Sequence, residues 1–143
     1  RVGINGRLDT IQAAILLEKL MIFDGELNKR DKIANYYIEN LNNKYRHQIV
    51  PKGYKSSWAQ FSIITKSKKH RDDLISSLDE QNIPNMIYYR TPLHLQKVFS
   101  SLGYVSGQFP NSEMLSDKIL SLPMHPYLIK DEQDKILEIL NNG

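Results

Sequence analysis

The 143-residue chain contains no cysteine, which excludes disulfide bonds and thiolate metal sites. It has no apolar run long enough to cross a membrane, and nothing at its start resembles a signal peptide. Acidic and basic residues are intermixed, and the one dense basic run, at 66–71, opens a helical pattern rather than a nucleic-acid-binding stripe. We therefore expect a cytoplasmic protein without a membrane or nucleic-acid partner.

The first third of the chain has the hydrophobic spacing of one long helix. Apolar residues recur every three or four positions from residue 8 to about 45. Asp9, followed three residues later by Gln12, predicts the N-terminal cap. Gly25 interrupts the pattern and predicts a kink or break, because glycine is a poor helix former. Helices of this length often join two domains.

The rest of the chain alternates short strands and helices, which predicts an α+β layer domain. Asn111 and Asp131 are the predicted N-caps of the last two helices. The predicted strands cover 57–65, 83–89 and a short piece ending at Leu122, and the predicted helices cover 69–81, a short stretch closed near Gly103, about 110–120, and the C-terminal segment.

The turn GINGRLD, at residues 3–9, has the composition of an anion-binding turn. Two glycines flank Asn5, so the backbone there can approach a ligand closely. Arg7 stands just before the helix start, where backbone N–H groups favour an anion. An amide and a guanidinium in this position can bind a phosphate or a carboxylate. An ordinary turn with an exposed arginine is the alternative.

A second rigid turn, SLPMHPYL at 121–128, holds two polar side chains. Pro123 and Pro126 restrict the backbone around His125 and Tyr127. Both side chains can therefore meet a polar ligand with little loss of rotamer entropy. The alternative is a buried histidine that bonds to backbone carbonyls.

The segment YYRTPLHLQ, at 88–96, adds Arg90 and His94 to the candidates. The four histidines of the chain are too far apart in sequence to predict a metal site, and no Ser–His–Asp arrangement follows from residue order. From composition and spacing alone, the chain is predicted to carry anion-binding turns on an α+β domain.

Five segments together resemble a known family. They are GINGRLDTIQAAILLEKL, WAQFSI, YYRTPLHLQ, FPNSEMLS and SLPMHPYL. In this order they look like the C-terminal part of the pyridoxal-phosphate (PLP) sugar-nucleotide aminotransferases of the DegT/StrS type, and the resemblance covers essentially the whole chain.

The resemblance implies the aspartate-aminotransferase type of fold, in which a large domain carries the cofactor lysine. It implies an active-site turn and a long interdomain helix over 1–45, followed by a small C-terminal α+β domain over 46–143. None of the thirteen lysines has the sequence context of the family's cofactor lysine. The chain also begins at Arg1 rather than at methionine. We therefore expect the tail of a longer polypeptide, without the catalytic lysine and inactive alone by the family's route.

The resemblance also implies roles for single residues. Asn5 matches an asparagine that reaches the PLP phosphate of the partner subunit. Arg7 matches an arginine near the substrate of that same neighbouring site, and His125 and Tyr127 match groups that contact the partner's sugar nucleotide. No residue of this chain is then catalytic in itself.

Two further substrate contacts are expected. His94 lies in the family's Pro-Leu-His segment, and Arg90 replaces a proline that is common there, which changes the loop and offers another anion contact.

The implied activity is transfer of an amino group from glutamate, through PLP, to a keto-sugar nucleotide in polysaccharide biosynthesis, by a homodimer that shares its active sites. The segments PLHLQ and SLPMHPYL look most like members that aminate C3 of a UDP-linked 3-keto-glucuronate. Amination of a 4-keto-6-deoxy sugar nucleotide is the nearest alternative. A family dehydratase and a catalytically inactive, truncated interaction module are the other two, because a fold does not fix a reaction.

Overall fold

One helix, α1, dominates the computed structural model, which describes residues 6–143. Thr10–Asn40 form this helix of 31 residues, about 46 Å long at 1.5 Å per residue. At its start the Gln12 side-chain oxygen accepts a hydrogen bond from the Asp9 N–H at 3.4 Å, which confirms the predicted cap. The predicted break at Gly25 is wrong, because the helix continues through it. One exposed glycine costs a helix only about 1 kcal/mol, which is too little to end it.

The remaining elements follow α1 in short segments. In chain order they are β1 Arg46–His47, β2 Phe61–Ile64, α2 Lys68–Glu80, two 3-10 helices at Leu93–Leu95 and Lys97–Leu102, α3 Pro110–Lys118, β3 Ile119–Leu122 and α4 Lys130–Asn142.

The three strands form one antiparallel sheet in the order β1-β2-β3. Phe61 lies opposite Leu122, and the hydroxyl oxygens of Ser62 and Ser121 are 2.7 Å apart across the same pair of strands. The strand predicted over 83–89 is wrong, since only Met86 pairs there, as an isolated bridge to Ser121. Pro84 has no N–H to donate, so a longer ladder would lack one of its bonds.

Two predicted helix caps are also wrong, each by two residues. The cap of α3 is Phe109, and Asn111 lies inside the first turn after Pro110, where proline's missing N–H costs nothing. The cap of α4 is Ile129, whose N–H donates to the Glu132 carboxylate at 3.1 Å, so Asp131 lies in the first turn.

One hydrophobic core joins the second half of α1 to the sheet, α2 and α4. Its buried apolar members are Ile33, Ala34, Tyr37, Leu41, Tyr45, Trp58, Phe61, Ile63, Leu74, Leu78, Leu120, Leu122, Ile136, Leu137 and Leu140. This arrangement of helices on a small sheet is the predicted α+β architecture.

Trp58 fixes the loop before β2 against α1. Its indole N–H donates to Asp31 Oδ1 at 3.0 Å, and its backbone carbonyl accepts from Arg30 Nη1 at 2.9 Å. The residue has φ of 45°, in the left-handed region that non-glycine residues rarely adopt. Burial of the indole and the two hydrogen bonds to α1 hold it in this conformation.

Candidate functional site

The N-terminal turn leads directly into α1. Asn5, the predicted phosphate contact, lies outside the described residues. Arg7 is exposed and precedes the helix cap Asp9 by two residues. Its side chain therefore stands beside the N-terminus of a long helix, where the partial positive charge of the backbone favours anions. The substrate role of Arg7 stays a prediction.

The second candidate turn, Pro123–Leu128, has a defined shape. The N–H of Leu128 donates to the carbonyl oxygen of His125 at 3.2 Å, which closes a four-residue turn. Pro126 is buried inside the turn, whereas His125 is exposed and the Tyr127 side chain is 57% exposed. The turn thus presents both predicted side chains outward, and the alternative of a buried His125 does not hold.

Two side chains of α1 hold the backbone of this turn. The Tyr37 hydroxyl donates to the carbonyl oxygen of Pro123 at 3.1 Å, and Arg30 Nη1 donates to that of Met124 at 3.3 Å. Arg30 bonds to the Trp58 carbonyl as well, so one guanidinium joins the turn to the loop before β2. These contacts supplement the rigidity that the two prolines impose.

A charged network on α1 holds the Tyr127 side chain. The phenol donates a 2.5 Å hydrogen bond to Glu26 Oε1, and Lys19 Nζ lies 2.8 Å from the same oxygen. Lys29 Nζ lies 5.2 Å from the centre of the Tyr127 ring, within cation–π range. Lys19 and then Tyr127 lower the pKa of Glu26, and the bond to Glu26 raises the pKa of Tyr127.

Sequence reasoning missed these α1 residues. Glu26 is 101 positions from Tyr127, and no local pattern links the two. The one available signal was the i, i+7 spacing of Lys19 and Glu26, which places them two turns apart on the same face of the helix.

His94 is built into the loop that follows it. Its Nε2 lies 3.1 Å from Glu113 Oε1, its side chain is 8% exposed, and its ring packs on Phe109 at 4.7 Å between centroids. The Glu113 carboxylate also accepts from the Gly107 N–H at 2.8 Å and the Ser106 hydroxyl at 2.9 Å. These bonds, above all that from Gly107, lower the pKa of Glu113. His94 thus anchors the loop, and its predicted substrate contact stays a prediction.

A cleft of about 570 Å³ opens beside His94. It is lined by Tyr89, Pro92, Leu93, His94, Phe109, Ser112, Leu115, Ser116 and Ile119. Arg90 is exposed next to one of these residues, Tyr89, but is not part of the lining. The wall is mostly apolar, so any ligand of this cleft would be held mainly by hydrophobic contact.

The candidate residues form separate groups on this chain. Glu26, which holds Tyr127, is about 24 Å along the helix axis from the first residue of α1, next to Arg7. The Arg7 end of α1 and the Tyr127 contact are therefore well separated on this chain. Over the described residues, no helix is both long and apolar enough to cross a membrane.

Comparison with curated proteins gives relatives that match nearly the whole of this chain. It is 41% identical to the pleiotropic regulatory protein of Geobacillus stearothermophilus over 96% of its length, which is 37% of that protein. It is 35% identical to the dTDP-3-amino-3,6-dideoxy-alpha-D-galactopyranose transaminase of Aneurinibacillus thermoaerophilus over 97%, again 37% of the relative. It is 34% identical to the UDP-2-acetamido-2-deoxy-3-oxo-D-glucuronate aminotransferase of Pseudomonas aeruginosa over 90%, which is 34% of that enzyme. The chain thus spans somewhat over a third of the length of these relatives.

Solved structures share the fold. A DegT DnrJ EryC1 StrS aminotransferase from Brucella abortus superimposes with a TM-score of 0.88 at 47% identity, over 99% of this chain and 37% of the other. Spr1654 from Streptococcus pneumoniae, solved in PLP and PMP forms, gives TM-scores of 0.83 and 0.84 at 22% identity, over 92% of this chain and 34% of its own. The expected fold is therefore confirmed, as is PLP as the cofactor of the family.

The match to the family model agrees with the order of the five segments, with the fold and with the relatives. It extends over residues 1–141. The chain belongs to the DegT/DnrJ/EryC1/StrS aminotransferase family.

Proposed function

We propose that this chain is the C-terminal part of a PLP-dependent enzyme that transfers an amino group from glutamate to a keto-sugar nucleotide. The family match over residues 1–141 carries the proposal. Two of the relatives named above are a transaminase and an aminotransferase of nucleotide-linked sugars, which supports this substrate class.

The position aminated is proposed to be C3 of the sugar. The names of both of these relatives place an amino or oxo group at carbon 3, one on a dTDP-linked and one on a UDP-linked sugar. This supports amination at C3 over amination at C4, on either a glucuronate or a 6-deoxy sugar. We propose a UDP-linked 3-keto-glucuronate as the first substrate to test.

The sequence of the N-terminal segment suits the phosphate of PLP. Asn5 and the backbone N–H groups at the start of α1 would hold it, and exposed Arg7 places a guanidinium beside this helix end. When bound, PLP supplies the electron sink through which amino groups are exchanged. This chain would contribute the anion-binding turn, with its lysine partner supplied from outside these 143 residues.

The turn at 123–128 would bind the sugar nucleotide. His125 and Tyr127 project from a backbone that Tyr37 and Arg30 fix, so they can orient a ligand at a low entropic cost. Arg90 would add an anion contact. His94, already bonded to Glu113, would act by shaping the adjacent cleft.

We propose that the enzyme is a homodimer in which these groups complete the partner's active site. The exposed apolar side chains on the first half of α1, among them Ile15 at 59%, supply surface for such an assembly.

The test is reduction of the natural gene product containing this chain with borohydride, followed by intact-mass measurement. We expect a pyridoxyl-phosphate adduct on the gene product and none on residues 1–143 alone. Assays with glutamate and paired 3-keto and 4-keto sugar nucleotides then identify the position aminated. Without an adduct on the gene product, the aminotransferase proposal would fall in favour of a dehydratase that lacks the lysine or an interaction module.

A further inference from the structure

The hydrogen bond between Tyr127 and Glu26 determines where the phenolic proton lies. Lys19 Nζ is 2.8 Å from Glu26 Oε1 and lowers the pKa of this carboxyl, so Glu26 is ionised and can only accept. The Tyr127 hydroxyl must therefore be the donor in their 2.5 Å bond. A phenol has a single proton, which leaves only lone pairs on the side of the oxygen that faces away from Glu26.

We infer that Glu26 is a positioning residue that makes Tyr127 a hydrogen-bond acceptor towards the sugar nucleotide. Tyr127 would then bind a hydroxyl or an amide N–H of the ligand and would discriminate against its diphosphate, which has no proton to offer at neutral pH. The inference rests on the proposed function, because it presupposes that Tyr127 meets a nucleotide sugar.

The surroundings of Tyr127 support this role. The phenol ring lies under the Lys29 ammonium at 5.2 Å and is 57% exposed, so its position depends on contacts rather than on burial. Tyr37 and Arg30 fix the backbone on the N-terminal side of the turn, and Glu26 fixes the end of the side chain. All three supporting residues project from the same helix, so the orientation of the phenol is set relative to α1.

The first arm of the experiment measures the proton directly. The natural gene product is labelled with ¹³Cζ-tyrosine, the Tyr127 signal is assigned by its loss in Tyr127→Phe, and the phenol is titrated by NMR. We expect Tyr127 to titrate above the ordinary value of 10.0 and Glu26→Gln to lower its pKa. Glu39→Gln is the matched control, because Glu39 is exposed on the same helix.

The second arm measures binding of UDP-N-acetylglucosamine by calorimetry. In Glu26→Gln the neutral amide can donate to the phenol oxygen as well as accept from it, so the phenol is no longer held as an acceptor towards the ligand. We expect Glu26→Gln and Tyr127→Phe each to weaken binding about fivefold to tenfold, as for one hydrogen bond. The double variant should bind the ligand about as tightly as whichever single variant binds it less tightly, since the two substitutions remove the same contact.

Three results would overturn the inference, and they differ in whether the proposed substrate contact of Tyr127 survives. An unchanged Tyr127 titration in Glu26→Gln would mean that the bond does not exist. Weaker binding in Tyr127→Phe but not in Glu26→Gln would leave the proposed substrate contact standing and remove the role of Glu26. Undiminished binding in Tyr127→Phe, with the titration as expected, would remove the substrate contact of Tyr127 itself.

Discussion

The two halves of α1, residues 10–25 and 26–40, have similar apolar side chains but different surroundings. Ile15 in the first half is 59% exposed, whereas Ile33 in the second half is 6% exposed and belongs to the core. The helix is continuous between them, so the difference comes from what packs against each half and not from the local conformation. The comparison teaches that hydrophobic spacing predicts a helix and its apolar face, while the extent of burial depends on elements distant in sequence.

The largest expected effect comes from truncating one core side chain in the second half of α1. Ile33→Ala should lower the free energy of unfolding by about 2 to 5 kcal/mol, because it leaves a cavity. Ile15→Ala in residues 1–143 should change it by less than about 0.5 kcal/mol. Urea unfolding followed by circular dichroism measures both. If other parts of the natural gene product cover the first half of α1, Ile15→Ala in that longer protein should cost nearly as much stability as Ile33→Ala. An equally small effect of Ile15→Ala in residues 1–143 and in the natural gene product would contradict this.

The next effect tests how the second half of α1 holds the turn at 123–128. Tyr37→Phe removes the donor to the Pro123 carbonyl and should cost about 1 to 3 kcal/mol, because that oxygen is left without this partner. Hydrogen exchange at the Leu128 amide, which bonds to His125, should accelerate as the turn loosens. Tyr54→Phe on an exposed tyrosine is the control. Unchanged exchange in Tyr37→Phe would show that the prolines alone fix the turn.

A smaller effect is the pH dependence of the free energy of unfolding, which His70 in the packed part of the molecule is expected to cause. Burial, with Lys66 and Lys44 nearby, lowers the pKa of His70 below 6.5 in the folded chain. Its Nδ1 is buried without a hydrogen-bond partner in the described structure, so a proton there would be unfavourable. The unfolded chain takes up this proton first, so stability is fully present above about pH 6.5 and falls as the pH drops below it.

The measurement is the pH dependence of unfolding in the parent chain and in His70→Gln. The variant should lose less stability between pH 7 and pH 5 than the parent. His125→Gln, at an exposed position, should retain the parent's dependence. The same slope in all three chains would exclude His70 as the titrating group.

The smallest effect concerns the junction of the two halves. Gly25 is exposed, has no atom within 4 Å of an added Cβ and lies within α1. Gly25→Ala should therefore raise the free energy of unfolding by about 0.5 to 1 kcal/mol. Thermal unfolding followed by circular dichroism measures this. A loss of stability would indicate that the helix bends at Gly25 in solution.

The sequence predicted α1 and the general α+β order because these depend on local signals, such as Asp9 with Gln12 and the spacing of apolar residues. It failed where the outcome depends on distant partners. The two-residue strand β1 carries no pattern of its own, and residues 83–89 look like a strand although only Met86 finds a partner there.

The candidate site divides in the same way. The prolines predicted a rigid turn around His125 and Tyr127, and the structure places both side chains on its surface. The partner of Tyr127, Glu26, could not be predicted because the contact spans 101 residues. His94 bonds to Glu113, 19 positions away, and no local pattern links the two, so this contact could not be predicted.

Trp58 gives the molecule a built-in optical probe. It is the only tryptophan in the chain, its indole is buried, and its N–H is bonded to Asp31 on the packed half of α1. Undocking of that half would bring the indole into water and shift its fluorescence to longer wavelength, without any added label. A partner that covers α1 only around Ile15, about 24 Å along the helix axis from Asp31, would leave this signal constant, so one emission spectrum separates the two events.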